Sequence, residues 1–253
     1  MEKVNIVILG DSIVYGMGDY QMGGWVNRLK LKLEKREDFY YDVYNLGIPD
    51  DTSKDVLKRM TQEITSRFYQ GRLIIIFGVG ANDSAQAKLD IETFKENIRG
   101  LIYFAKMLTD DIAFVGLPHG VDTYIEGRLS NTAHITDEDF RKFNYALAEV
   151  CEDKGARFLP VRRGLDIENL FDGVHPDPEG HEYICNVVYN YIKDVLNSTI
   201  PSKKHRCCIC GGPILTPYGN NPEPISNMGR CCDACNLSVV IPARMKGVKN
   251  DTK

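Results

Sequence analysis

Across residues 1–197, short apolar runs alternate with longer stretches of helical period. Residues 4–9, 41–46, 73–77, 112–115 and 157–161 are rich in β-branched and aromatic side chains and read as strands. Residues 24–36, 53–69, 91–108 and 136–154 read as the helices between them, and 178–196 as a closing helix. In the closing helix Ile184, Val187, Val188, Tyr191, Ile192 and Val195 keep the 3.6-residue spacing of a core-facing stripe. Repeated strand–helix units predict a parallel sheet covered on both faces. Five such strands suit a three-layer α/β/α, flavodoxin-like domain. In these sheets the chemistry lies beyond the carboxyl ends of the strands.

The pattern breaks at residues 198–205, Ser-Thr-Ile-Pro-Ser-Lys-Lys-His, which read as a linker. Residues 206–245 then turn rich in Cys, Gly, Pro and Asn and read as a second, small module, with 246–253 a flexible tail. Charge divides at the same place. Of 31 Lys+Arg and 35 Asp+Glu, residues 201–253 hold 8 and 3, leaving 23 and 32 for residues 1–200. The acidic body argues against nucleic acid as its ligand, while the basic tail keeps that option for itself. No stretch approaches the roughly 18 apolar residues of a membrane span. Met1 runs almost directly into the first strand with no signal peptide between, so the expected compartment is the cytoplasm.

Candidate chemistry sits at the strand ends. Gly10-Asp11-Ser12 follows the first strand and places a serine on a tight turn, with its own N–H near a helix start. Gly47 follows the second strand, where a backbone N–H can point into a cleft. Gly80-Ala81-Asn82-Asp83 follows the third and offers an amide as a neutral donor. Far downstream, Asp172-Gly173-Val174-His175 puts a carboxylate and an imidazole on one turn. Serine, histidine and aspartate are the groups that make a hydroxyl nucleophilic. His119, after the fourth strand, reads as a loop histidine that can also line a pocket. His134 and His181 read as structural or exposed, Trp25 as packing, and Cys151 and Cys185 as buried free thiols. Residues 118–135 show no clear period and suit a lid or substrate-recognition loop.

In order and spacing, Gly10-Asp11-Ser12, Gly47, Gly80-x-Asn82-Asp83 and Asp172-x-x-His175 resemble the sequence blocks of the SGNH hydrolase superfamily, the GDSL-type esterases and lipases. Ile13 stands where the common family name has leucine, a conservative change. The resemblance implies Ser12 as nucleophile, His175 as general base and Asp172 as its orienting partner. It implies an oxyanion hole from the Ser12 N–H, Gly47 and Asn82. The expected activity is hydrolysis of a small-molecule carboxylic ester: a small acyl ester, an O-acetylated carbohydrate or a lysophospholipid. No catalytic cofactor and no membrane partner are expected. The reading from another class is a binding or targeting protein whose tail is the working part.

In the tail, Cys207-x-x-Cys210 and Cys232-x-x-Cys235 stand 21 residues apart. Two such pairs in a short Gly- and Pro-containing segment read as a four-thiolate, structural zinc site. Cys208, Cys231 and His205 are the alternative ligands. A segment this poor in apolar residues draws much of its folding energy from metal. The stretch from Cys207 to Arg244 resembles small cysteine-rich, zinc-ribbon-like proteins of phages and bacteria. Arg230, Arg244 and Lys246 leave contact with nucleic acid or protein as a possible role beside a purely structural one.

Overall fold

The computed structural model describes residues 2–68, 70–85, 89–121, 123–126, 132–197, 207–212, 214 and 219–248, and for 123–126, 132–133 and 246–248 the backbone alone. The chain runs through β1 (Lys3–Gly10), the single turn α1 (Ser12–Tyr15), α2 (Trp25–Glu34), β2 (Tyr40–Gly47), α3 (Ser53–Thr65) and β3 (Arg72–Gly78). It continues through α4 (Ala81–Ala85), α5 (Ile91–Lys106), β4 (Ile112–Val115), the pair β5 (Thr123–Glu126) and β6 (Thr132–Ile135), α6 (Asp137–Lys154), β7 (Arg157–Leu159) and α7 (Pro178–Asn197). The main sheet has five strands in the order β2-β1-β3-β4-β7. Every neighbouring pair in it is parallel.

The burial of the strands follows from this order. β1 and β3 are interior strands with helices on both faces, so Val4 to Leu9 and Leu73 to Phe77 are buried without alternation. β2 is an edge strand and is mostly half-buried. α2 packs on α7, while α5 packs on α3 and on α6. Trp25 and Phe114 are fully buried, and Phe114 stacks on Phe77 with ring centroids 4.8 Å apart. Trp25 is thus a packing residue. Burial pushes the free thiols of Cys151 and Cys185 up, to about 12 and about 11, as expected of inert core cysteines. Capping fixes the helix starts. Thr52 and Asp55 form a reciprocal capping box on α3, and the Thr136 side chain accepts from the Asp139 N–H on α6.

Residues 118–135 carry a regular element that their sequence does not announce. β5 and β6 pair antiparallel, Thr123 opposite Ile135. Asp122 and 127–131 of this segment lie outside the described residues, so its role as a lid does too.

Residues 207–248 hold a second small apolar cluster of Cys207, Ile214, Cys231, Cys235 and Val240. Its regular structure among the described residues is one isolated bridge, Asn220 to Cys231, and a helical run. That run is α8 (Asp233–Cys235), a π turn over Asn236–Val240, and α9 (Ile241–Val248). The linker, His205 and the side chain of Lys246 lie outside the described residues. No helix among the described residues is long and apolar enough to cross a membrane.

Candidate active site and candidate metal centre

Three glycines stand abreast at the carboxyl edge of the sheet. Gly10 is in register with Gly47 on one side and with Gly78 on the other. They leave room for α1 to lie across the strand ends. A Cβ on Gly47 would fall 2.2 Å from the Tyr15 nitrogen, and one on Gly78 2.5 Å from Val14 Cγ2. This seats Ser12 at the first position of α1, where its N–H has no intrahelical acceptor.

The structure brings Ser12, His175 and Asp172 together from positions 163 residues apart. His175 Nε2 lies 2.8 Å from Ser12 Oγ, and His175 Nδ1 lies 2.6 Å from Asp172 Oδ2. The other carboxylate oxygen, Asp172 Oδ1, accepts from the backbone N–H groups of Val174 and His175 at 3.1 and 2.8 Å. Burial works against the Asp172 charge, but the bond from the His175 ring and these N–H groups outweigh it and hold the carboxyl below its usual range. A carboxylate can only accept, so Nδ1 carries the ring proton and Nε2 faces Ser12 as a base. The turn is held from outside as well. Phe171 N–H donates to the His175 carbonyl, and Val121 N–H to the Gly173 carbonyl, at 2.7 and 2.8 Å.

The remaining helpers take more specific places than their residue types suggest. Asn82 Nδ2 donates to the Asp51 carbonyl at 3.0 Å, leaving its second amide proton for another acceptor. Gly47 N–H donates to Asn45 Oδ1 at 3.0 Å. Here the glycine makes space for Tyr15, and its single donor is already engaged. Beyond it on the same loop, Asp50 takes φ 70, in the left-handed region that glycine usually supplies.

Several polar residues tie the strand-end loops to one another. Arg59, in the middle of α3, donates to the carbonyls of Gly10 and Leu46 at 3.1 and 2.8 Å and pairs with Asp51 at 2.7 Å. Buried Asp83 accepts from the Ser53 N–H and hydroxyl, and Asn97 in turn donates to Ser53 Oγ. His181 accepts from the Trp25 N–H at Nδ1, so Nε2 carries the proton and donates to the Met17 carbonyl. Burial lowers the His181 pKa, and the ring serves as a neutral strut. His119 lies 3.4 Å from Asp137, which also pairs with Arg162. These partners give it a structural place after β4. The sequence offers no local sign of the roles of Arg59, Asn97 or Arg162.

Cys207, Cys210, Cys232 and Cys235 form a separate cluster, their sulfurs all within 4.8 Å of one another. Backbone N–H groups of Ile209, Gly212 and Cys235 point at the sulfurs of Cys207, Cys210 and Cys232, each at 3.4 Å. Such donors favour thiolates, and four converging thiolates suit a tetrahedral soft-metal site. The donor set therefore fits zinc. Cys208 is exposed and Cys231 buried, and neither belongs to the converging group. Arg244, though exposed, donates to the carbonyls of Glu223 and Asn221, each at 2.8 Å.

A model of the GDSL-like lipase/acylhydrolase family matches residues 8–183. Among curated proteins, none matches the chain. Solved structures do. A lipase/acylhydrolase from Enterococcus faecalis aligns with a TM-score of 0.61 at 22% identity, covering 77% of this chain and 97% of its own. An acetylxylan esterase from Geobacillus stearothermophilus aligns at 0.58 and 19%, covering 76% and 94%. The psychrotrophic esterase EstA from Pseudoalteromonas sp., in a structure inhibited by monoethylphosphonate, aligns at 0.56 and 22%, covering 77% and 99%. At these identities the likeness establishes the fold.

Proposed function

The chain belongs to the GDSL-like lipase/acylhydrolase family and is an ester-hydrolysing enzyme, and from that premise we propose that it is a serine acylhydrolase working through Ser12, His175 and Asp172. The observation that carries this reading is the unbroken relay from Ser12 Oγ through the His175 ring to Asp172, with contacts of 2.8 and 2.6 Å. Ser12 Oγ attacks the acyl carbon while His175 Nε2 takes its proton, giving a tetrahedral oxyanion. Asp172 stabilises the imidazolium. The intermediate collapses, and His175 returns the proton to the departing alcohol. Water then attacks the acyl-enzyme by the same route, releasing the carboxylic acid and restoring Ser12. The Ser12 N–H and the second Asn82 amide proton hold the oxyanion. Gly47 joins them only when Asn45 Oδ1 releases its N–H.

The substrate is a carboxylic ester: a small acyl ester, an O-acetylated carbohydrate or a lysophospholipid. Purified protein should hydrolyse p-nitrophenyl acetate or butyrate, and a panel adding acetylated xylo-oligosaccharides and lysophosphatidylcholine ranks the three classes. Ser12→Ala should abolish turnover and labelling by a fluorophosphonate probe. Equal rates for wild type and Ser12→Ala across the panel would refute the triad.

Residues 1–197 form the catalytic domain in this reading, and 206–245 a structural zinc module joined by the 198–205 linker. Cys207, Cys210, Cys232 and Cys235 would hold the metal, which supplies folding free energy and no catalytic step. Native mass spectrometry should find one zinc per chain. The guanidinium of Arg244 is engaged by the carbonyls of Glu223 and Asn221, which favours a structural or protein-contacting module over a nucleic-acid reader.

A further inference from the structure

The Ser12 N–H follows β1 and the Asn82 amide follows β3, so their separation depends on what joins the strand ends. Asn82 is anchored on the backbone carbonyl of Asp51, at 3.0 Å. Asp51 ends a turn in which its N–H donates to the Ile48 carbonyl. The Ile48 N–H in turn donates to the Gly10 carbonyl at 2.9 Å, which ties this turn to β1. Between them Asp50 takes φ 70, a backbone conformation that a side chain opposes. Such a turn keeps its shape only when its surroundings hold it.

Arg59 supplies that hold. Side chains on a helix lean back toward its N-terminus, so from the middle of α3 the Arg59 side chain reaches the strand ends where α3 begins. Its Nε donates to Asp51 Oδ2 at 2.7 Å. Its Nη2 is shared by the carbonyls of Gly10 and Leu46, at 3.1 and 2.8 Å. Nη1 lies 3.8 Å from Glu63 Oε1. The side chains of Arg59 and Asp51 are only 17% and 12% exposed, so water competes little for these bonds. Gly10 stands two residues before Ser12, Leu46 directly before Gly47, and Asp51 carries Asn82. One planar fork thus grips three segments at once. A lysine, whose N–H groups all leave one nitrogen, does not match that spread.

We propose that Arg59 is a positioning residue for the oxyanion site, its guanidinium fixing the separation of the Ser12 N–H and the Asn82 amide by pinning Gly10, Leu46 and Asp51 together. It rests on the reading of Ser12 as nucleophile and Asn82 as an oxyanion donor. The oxyanion forms only as the reaction proceeds, so a displaced donor weakens the transition state and leaves ester binding little changed. The mark of Arg59 is therefore a fall in kcat with KM nearly fixed, and a fall that depends on Asn82 being present.

The test is a double-mutant cycle between Arg59→Met and Asn82→Ala, read as kcat and KM for p-nitrophenyl acetate. Methionine fills much of the space of the arginine stem and donates nothing. Arg59→Met should lower kcat about 10²-fold, the scale of one lost oxyanion donor, and move KM by less than about threefold. In the Asn82→Ala background the same substitution should cost less than about tenfold. Losses that simply multiply overturn the proposal, as does a wild-type kcat in either single variant. Arg59→Lys keeps the charge without the fork and should recover only part of the loss. Full recovery would mean that charge alone matters, and overturns it too. Asp51→Ala carries the same cycle if Arg59→Met fails to fold, because it removes the Nε acceptor and keeps the carbonyl that Asn82 uses. Its loss should be smaller, about tenfold, and should likewise shrink beside Asn82→Ala. Ser12→Ala is measured alongside. If it is inactive while the cycle is additive, only the role of Arg59 falls. If it is as active as wild type, the catalytic reading falls and this proposal with it.

Discussion

The strand-end site and the cysteine cluster gather distant residues by opposite means. Ser12 and His175 meet because a parallel sheet with buried central strands, Phe77 and Phe114 stacked within it, fixes the strand ends before any ligand arrives. The cysteines of 207–235 meet around an apolar cluster of five residues, three of them cysteines themselves. One site is a consequence of its core. The other supplies most of what its core lacks. Removing a functional group should therefore silence the first without unfolding it, and unfold the second without silencing the first.

The largest effect expected is metal removal. Structural zinc in small modules contributes apparent binding free energies of about 10 kcal/mol. A strong chelator, or Cys235→Ser, should abolish hydrogen-exchange protection in the 207–248 amides. Ester hydrolysis should persist at its starting rate. Loss of activity in step with zinc would show that the module takes part in the catalytic site, and would break the comparison.

Next comes Asp172→Asn. It keeps the shape of the turn and removes the charge that stabilises the imidazolium. The expected loss in kcat/KM is about 10³- to 10⁴-fold, equivalent to about 4–5 kcal/mol. The thermal midpoint should hardly change. A large fall in stability would mean that the Asp172 turn is a structural clasp before it is a catalytic one.

Phe114→Ala reverses the pattern. Removing a fully buried ring stacked on Phe77 should cost about 3–5 kcal/mol of stability. Urea unfolding followed by fluorescence of Trp25 measures it. The module's exchange protection should be unaffected, because Phe114 belongs to the larger cluster alone.

The two regions also differ in how much of them a sequence can announce. Continuous apolar strands and 3.6-residue stripes make the five-strand sheet readable, strand-end glycines mark where Ser12 and Asn82 fall, and the Asp172-x-x-His175 spacing marks the imidazole. Gly47 shows the limit. Nothing in its sequence shows that a Cβ there would fall 2.2 Å from the Tyr15 nitrogen, or that its N–H meets Asn45 Oδ1, because the fold sets both neighbours. Arg59 reads as one more cation on an amphipathic helix, because the carbonyls it holds belong to two strands, one preceding its helix and one 49 residues away. Asp11 is plain as a member of its block, yet the burial of Oδ2 depends on everything packed above it. In the module, Cys-x-x-Cys spacing announces the ligands, since a knuckle is local. The helical run that follows Cys232 is not announced, because Val239, Val240 and Ile241 are β-branched and Pro242 follows them.

The smallest effect is the most discriminating. Thr52→Ala removes a capping box at the start of α3, in which Thr52 Oγ1 lies 2.6 Å from Asp55 Oδ2. Caps of this kind are worth about 1 kcal/mol, which in a domain of this size lowers the thermal midpoint by about 2–4 °C. Thr52 also follows Asp51, whose carbonyl anchors the Asn82 amide. If the sheet's core alone fixes the strand ends, kcat/KM should stay within about twofold of wild type while the midpoint falls. If instead the site depends on this loop's own hydrogen bonds, the loss of kcat should exceed tenfold, about 1.4 kcal/mol, more than the cap itself contributes. Arg59 and Asp83 hold the same loop ends from two further directions, so the first outcome is expected: a fold that yields slightly, and an Asn82 amide that stays in place.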